Sequence, residues 1–144
     1  MSEIKPVSPE EAAELLDSGW VYVDVRSEPE YEAGHVPGAL NVPLLHRGPA
    51  GMTPNADFSS VMQRAFGKDE KLIVGCRSGG RSRRAAEMLA QAGFSNVCDM
   101  VCGWEGSRDA FGRLVPGWSA KGMPAESGKP EGQGYEAVKS RQPK

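Results

Sequence analysis

Three short runs of apolar and β-branched residues, WVYVDV at 20–25, KLIVG at 71–75 and NVCDMV at 96–101, are separated by stretches whose apolar residues recur with helical spacing. Runs of this length and density match strands buried on both faces. Buried strands alternating with helices are joined by right-handed βαβ crossovers, which lay the strands parallel and place helices on both faces. The expectation is an α/β fold, a mostly parallel sheet of about five strands with ALNVP at 39–43 as a weaker member.

The helical stretches carry their own start and stop signals. In SPEEAAELLDSG, Ser8 is the N-cap, Pro9 opens the first turn and Glu11 completes a capping box. Ala12, Leu15 and Leu16 share one face, and Gly19 ends the helix. A brief helix is expected through EPEYEAG at 28–34. DFSSVMQRAFG puts Phe58, Val61, Met62 and Ala65 on one face before Gly67. SRRAAEMLAQAGF repeats the device with Ala85, Met88, Leu89 and Ala92 before Gly93. LLHRGPAGMTPNAD at 44–57 reads as a long loop rich in Gly and Pro, of the kind that frames a site. From residue 121 onward apolar anchors are sparse, so residues 1–120 are expected to form the domain and 121–144 a flexible tail.

Composition narrows the class. With 144 residues, 39% of them hydrophobic, the chain can fill one ordinary core. A net charge of -2 with interspersed signs provides no cationic field for a nucleic acid. No stretch approaches the ~20 apolar residues that span a bilayer. The opening MSEIKPVSPEEAAELL lacks the basic start and apolar core of a signal peptide, which points to the cytoplasm. Three cysteines, Cys76, Cys98 and Cys102, do not make a disulfide framework. With only two histidines, the chain also lacks the spacing of a tetrahedral metal site, and no metal or organic cofactor is implied.

The stretch CRSGGRS at 76–82 carries the chemistry. Ligands of open α/β sheets bind beyond the carboxyl ends of the strands, and Cys76 sits one residue past such a strand. The loop feeds a helix, so its amides can form a nest, with Gly79 and Gly80 supplying positive φ. A thiolate there, near Arg77 and Arg81, would have its pKa lowered from ~8.5. The bland alternative is a free cysteine packed as a small hydrophobe. Two phosphate readings compete. From Gly75 the stretch fits the P-loop template except that Arg81 replaces the lysine, and a planar guanidinium is a different tool from a compact ammonium. Cysteine phosphatases use C-x5-R, whereas here the arginine comes one place early, tightening the ring around a species smaller than phosphate.

These pieces together resemble the single-domain rhodaneses, thiosulfate sulfurtransferases, over roughly residues 4 to 124. YVDVRSEPEYEAGHVPGALNVP is similar to the family's first signature, with Asp24, Arg26, Glu32, His35, Gly38 and Asn41 in place. CRSGGRS resembles the active-site loop, whose shorter form goes with sulfur transfer and whose longer form goes with phosphatases and arsenate reductases. NVPLLHRGPAGMTPNADF looks like the corresponding loop of the plant and bacterial members, with HRG where they carry NRG. The resemblance implies a ping-pong reaction in which Cys76 attacks the outer sulfur of thiosulfate, releases sulfite and holds a persulfide. Arg77, Ser78, Gly79, Gly80, Arg81 and Ser82 would form the anion-binding cradle, with the arginines orienting the donor. The implied partners are a small anionic sulfur donor and a thiol or cyanide acceptor, a protein thiol included. A rhodanese-like module without catalysis, kept for sulfur relay or binding, is the alternative, and a cysteine phosphatase or arsenate reductase a more distant one.

Other residues take blander readings. Asp24 is expected to hold Arg26 or nearby amides, and His35 to fix a turn. His46 is a candidate for lining the site. Cys102 stands where the family usually has a glycine and could face Cys76 as a second thiol. Trp104 and Trp118 are expected to pack against the sheet rather than cover the site, and Trp20 to be core.

Overall fold

The computed structural model describes residues 4–49 and 51–141. Five strands form the central sheet: β1 (Ile4–Val7), β2 (Val21–Asp24), β3 (Leu40–Asn41), β6 (Lys71–Gly75) and β7 (Asn96–Met100). Their order is β1-β7-β6-β2-β3 and every pairing is parallel. Between them run α1 (Pro9–Asp17), α2 (Glu28–Ala33), α3 (Phe58–Ala65) and α4 (Gly80–Gln91). The capping box at Ser8 and Glu11 is present, with the Glu11 amide donating to Ser8 Oγ and Ser8 N–H donating back to Glu11.

Helices cover both faces, and the strand period of two sorts the side chains between them. Leu72, Val74 and Cys76 face α3 and α4 together with Val97, while Ile73 and Cys98 face the layer of α1 and α2. The four apolar residues of α3 are buried as its spacing demands, each of the larger ones worth ~1.5–3 kcal/mol of transfer free energy. Trp20 is half-buried at the rim of the second layer instead of inside it.

The segment 44–57 is not an irregular loop. It forms an antiparallel hairpin of β4 (Leu45–Gly48) and β5 (Gly51–Pro54), a two-stranded ladder too polar and glycine-rich to show alternation. A second hairpin, β8 (Gly106–Arg108) with β9 (Leu114–Pro116), follows β7.

The expected loose tail is also corrected, as far as Arg141. After a 3-10 turn at Ser119–Lys121, the chain returns along the domain and ends in α5 (Tyr135–Lys139), which buries Tyr135 and Val138 against α3 and β3. Two buried side chains anchor it where composition offered few. Polar contacts secure the path: Glu126 accepts from the Gly38 amide and pairs with His35 Nε2 at 3.1 Å, and Asn41 N–H donates to Gln133 O. Residues 142–144 lie outside the described part of the chain.

Candidate active site

Cys76 is the first residue beyond β6, and residues 77–79 lead directly into α4. This short path is fixed from three sides. Gly79, the N-cap of α4, has φ +109°, and a side chain there would collide with the Val101 carbonyl. Gly103 has φ +67°, and a Cβ would press on the Cys76 and Arg77 backbone. Trp104 N–H donates to Cys76 O at 2.7 Å and Glu105 N–H to Arg77 O at 2.9 Å, tying the loop to the chain after β7. On the third side the Tyr22 hydroxyl occupies the space beside Gly75, so only glycine fits there. Gly80, expected to share the positive φ, is instead the first helical residue of α4.

Cys76 is 2% exposed, and its sulfur accepts the Gly79 N–H at 3.1 Å. Among the described residues this is the one backbone amide that reaches it. Ser82 Oγ lies 3.5 Å from Sγ and donates to Asp99 Oδ1 at 2.6 Å, and both residues are buried. Burial raises the Asp99 pKa, against the Ser82 hydrogen bond and the Arg83 charge that lower it.

The two loop arginines are held by carboxylates rather than aimed at the sulfur. Arg81 makes a bidentate pair with Glu30 on α2, at 2.6 and 2.9 Å. Burial alone would raise the Glu30 pKa, but hydrogen bonds from Arg81 and Ser27 hold it down to about 2. Arg77 pairs with Glu105 at 2.6 Å on the surface. A cleft of about 250 Å³ opens beside the loop, lined by Arg26, Glu30, Gly34, Arg47, Arg77 and Trp104 among others. Arg26 is spoken for: it donates to both Asp24 oxygens and to Gly34 O, and lies over the Trp104 ring at 5.2 Å. The Arg47 guanidinium has no such partner among the described residues. Ser78 is exposed and, with Gly79 and Gly80, lines a separate cleft that Asp99, Arg83 and Arg108 also reach.

The remaining candidates fall away from the sulfur. His35 is fully buried, stacked on Tyr31 with ring centroids 3.7 Å apart, its Nδ1 2.7 Å from Tyr31 O, so it fixes the turn. His46 turns toward α5, its ring 5.7 Å from that of Tyr135. Cys102, a candidate second thiol that could have faced Cys76, instead lines a different cleft with Val7, Pro9, Pro116 and Lys121, and no hydrogen bond or disulfide joins the two. Burial pushes the Cys98 and Cys102 thiols up. Trp118 packs, donating Nε1–H to Pro124 O, while Trp104 both packs and lines the mouth. Among the described residues, no three His, Cys, Asp or Glu side chains converge as metal ligands.

Sequence reasoning missed Glu30, Arg47, Glu105 and Asp99. Asp99 alone left a signal, a carboxylate inside the apolar run NVCDMV.

The family model for the rhodanese-like domain matches residues 8–110. This chain belongs to the rhodanese family. The rhodanese is 40% identical over 116 residues to Thiosulfate sulfurtransferase 16, chloroplastic, of Arabidopsis thaliana, covering 81% of this chain and 88% of that one. It is 39% identical over 105 residues to Thiosulfate sulfurtransferase GlpE of Pseudomonas fluorescens, covering 73% and 85%. Of the radish Senescence-associated protein DIN1, 36% identical over 80% of this chain, it spans 57%. Among solved structures, Rv0390 from M. tuberculosis superposes with a TM-score of 0.70 at 30% identity, over 89% of this chain and all of that one. The family's fold is the one described above, and its relatives support sulfurtransferase chemistry.

Proposed function

We propose that this rhodanese transfers the outer sulfur of thiosulfate to a thiol or cyanide through a persulfide on Cys76. The observation that carries the reading is the seat of Sγ: one side chain at the carboxyl edge of the sheet, on the Gly79 amide at the start of α4, in a loop one residue shorter than the phosphatase form. The positive end of the helix dipole and the Gly79 N–H favour an anionic sulfur there without reorganising. In the first step the Sγ–S bond forms as the donor's S–S bond breaks, its electron pair leaving on sulfite. Cyanide then takes the outer sulfur as thiocyanate and returns the pair to Sγ.

Within this reading Arg47 and Arg77 at the mouth attract the doubly charged donor. Arg81, locked to Glu30, holds α2 against the loop. Ser78 and Gly80 complete the turn, and Ser82 contributes its hydroxyl beneath the sulfur. No described helix is long and apolar enough to cross a membrane, and the cytoplasm is the location carried with the proposal. The test is steady-state thiocyanate formation from thiosulfate and cyanide. The native chain turns over and Cys76→Ser does not; turnover of p-nitrophenyl phosphate matching that of thiosulfate would overturn the reading.

A further inference from the structure

Among the described residues, Asp99 is the one buried carboxylate without an ion pair. It stands on β7 opposite Val74, at a position where the strand period turns side chains toward α4 and where Val97, two residues earlier, is apolar core. A carboxylate in such a place costs free energy that only hydrogen bonds or a counter-charge offset. Its partner is Ser82, whose Oγ lies 2.6 Å from Asp99 Oδ1, 3.1 Å from the Gly79 carbonyl and 3.5 Å from the Cys76 sulfur. All three groups are at most 3% exposed.

A serine hydroxyl has one proton to give. When Asp99 is a carboxylate it takes that proton at 2.6 Å, and Ser82 turns a lone pair toward the sulfur, which suits a thiol S–H. When Asp99 is neutral its own O–H can donate to Ser82, and of the two acceptors then open to the Ser82 hydroxyl, the neutral Gly79 carbonyl and a sulfur anion beside the Gly79 N–H, the full charge draws the proton to sulfur.

We propose that Asp99 is a positioning residue that sets the charge on Cys76 through the Ser82 hydroxyl, the three sharing one proton so that sulfur is anionic when Asp99 is neutral. The elevated Asp99 pKa agrees with a carboxyl that can hold this proton. Resting on the transfer reading above, the consequence for loading is balanced. The thiol proton passes by way of Ser82 to Asp99 as the sulfane sulfur bonds to Sγ and sulfite departs, and it returns when the persulfide is emptied.

Other charged groups face the pair. Arg81 and Arg83 approach from α4, Tyr22 from β2 and Cys102 from the end of β7, and Arg108 lines the Asp99 cleft. On β1 the register partner of Asp99 is Pro6, and Lys5 acts on Cys98 instead. Among all of these, only Ser82 bridges Asp99 to the sulfur by hydrogen bonds.

The experiment is the pH profile of Cys76 alkylation by iodoacetamide, read on the Cys76 peptide by mass spectrometry. It needs no sulfur donor, so its result stands apart from loading by thiosulfate, which is followed separately by intact mass. The native profile is expected to carry two inflections, as a coupled pair does. Asp99→Asn removes the lower one and moves the remaining midpoint down by roughly one pH unit, since the amide can donate to Ser82 in place of the protonated carboxyl. In the Ser82→Ala background the same Asp99 change has little effect, because the link is cut. A single native inflection, or an unmoved or raised midpoint in Asp99→Asn, overturns the proposal. So does a shift of equal size without the Ser82 hydroxyl, which a bare charge acting through space would give. Loading that fails while the coupled profile persists sinks the transfer reading and leaves this one intact.

Discussion

At the residue scale, the loop is a set of places where one residue type fits. Gly79 combines a left-handed backbone with a carbonyl where a Cβ would go, so Gly79→Ala is expected to lose about 1–3 kcal/mol in urea denaturation and to slow Cys76 alkylation. Arg47 lines the cleft with no carboxylate partner among the described residues; Arg47→Ala should raise the thiosulfate concentration at half-maximal rate several-fold while Cys76 alkylation stays unchanged. The raised pKa of buried Asp99 has a signature in stability. A carboxyl whose folded pKa is raised contributes fully below its unfolded value near 3.8 and loses that contribution as pH climbs from there through its folded value, so Asp99→Asn should melt higher than the native chain at pH 7 and about equally below 3.8. A native chain that melts higher at neutral pH contradicts this. Cys76 and the glycine whose amide reaches its sulfur were legible in the sequence because Cys, Gly and Arg crowd into seven positions. Glu30 was not, since its bond to Arg81 joins positions 51 apart and nothing local announces it.

At the element scale, strong periodicity and capping declared α1, α3 and α4 and the strands β2, β6 and β7, short α2 and β3 showed more faintly, and β1, the two hairpins and α5 stayed silent. β1 contains Pro6 and buries only Val7, so the strand exists because β7 offers it an edge. α5 is one and a half turns held by Tyr135 and Val138, too few for a repeat to show. Its anchoring is testable: Tyr135→Ala, which also strips a partner from Asn55 Nδ2, should cost ~3–5 kcal/mol in chemical denaturation, whereas a loose tail would cost nothing. The α2–loop tie has a pH signature. Glu30 is held down to about 2, so its contribution is whole above the ordinary carboxylate range and is lost as pH falls from about 4.5 toward about 2. Glu30→Gln should flatten the melting temperature across that window.

At the scale of the whole molecule, a parallel sheet brings its strand ends to one edge, and the chain spends that edge on a single sulfur. The return of the C-terminal segment past His35 and Asn41 closes the opposite flank, which the sequence did not announce because its contacts span some 90 positions. The proposed transfer requires that Cys76 receive sulfur. Incubating the native chain with thiosulfate and weighing it intact is predicted to show a gain of one sulfur atom, absent in Cys76→Ser and reversed by cyanide. An unchanged mass, or the same gain in Cys76→Ser, would contradict it.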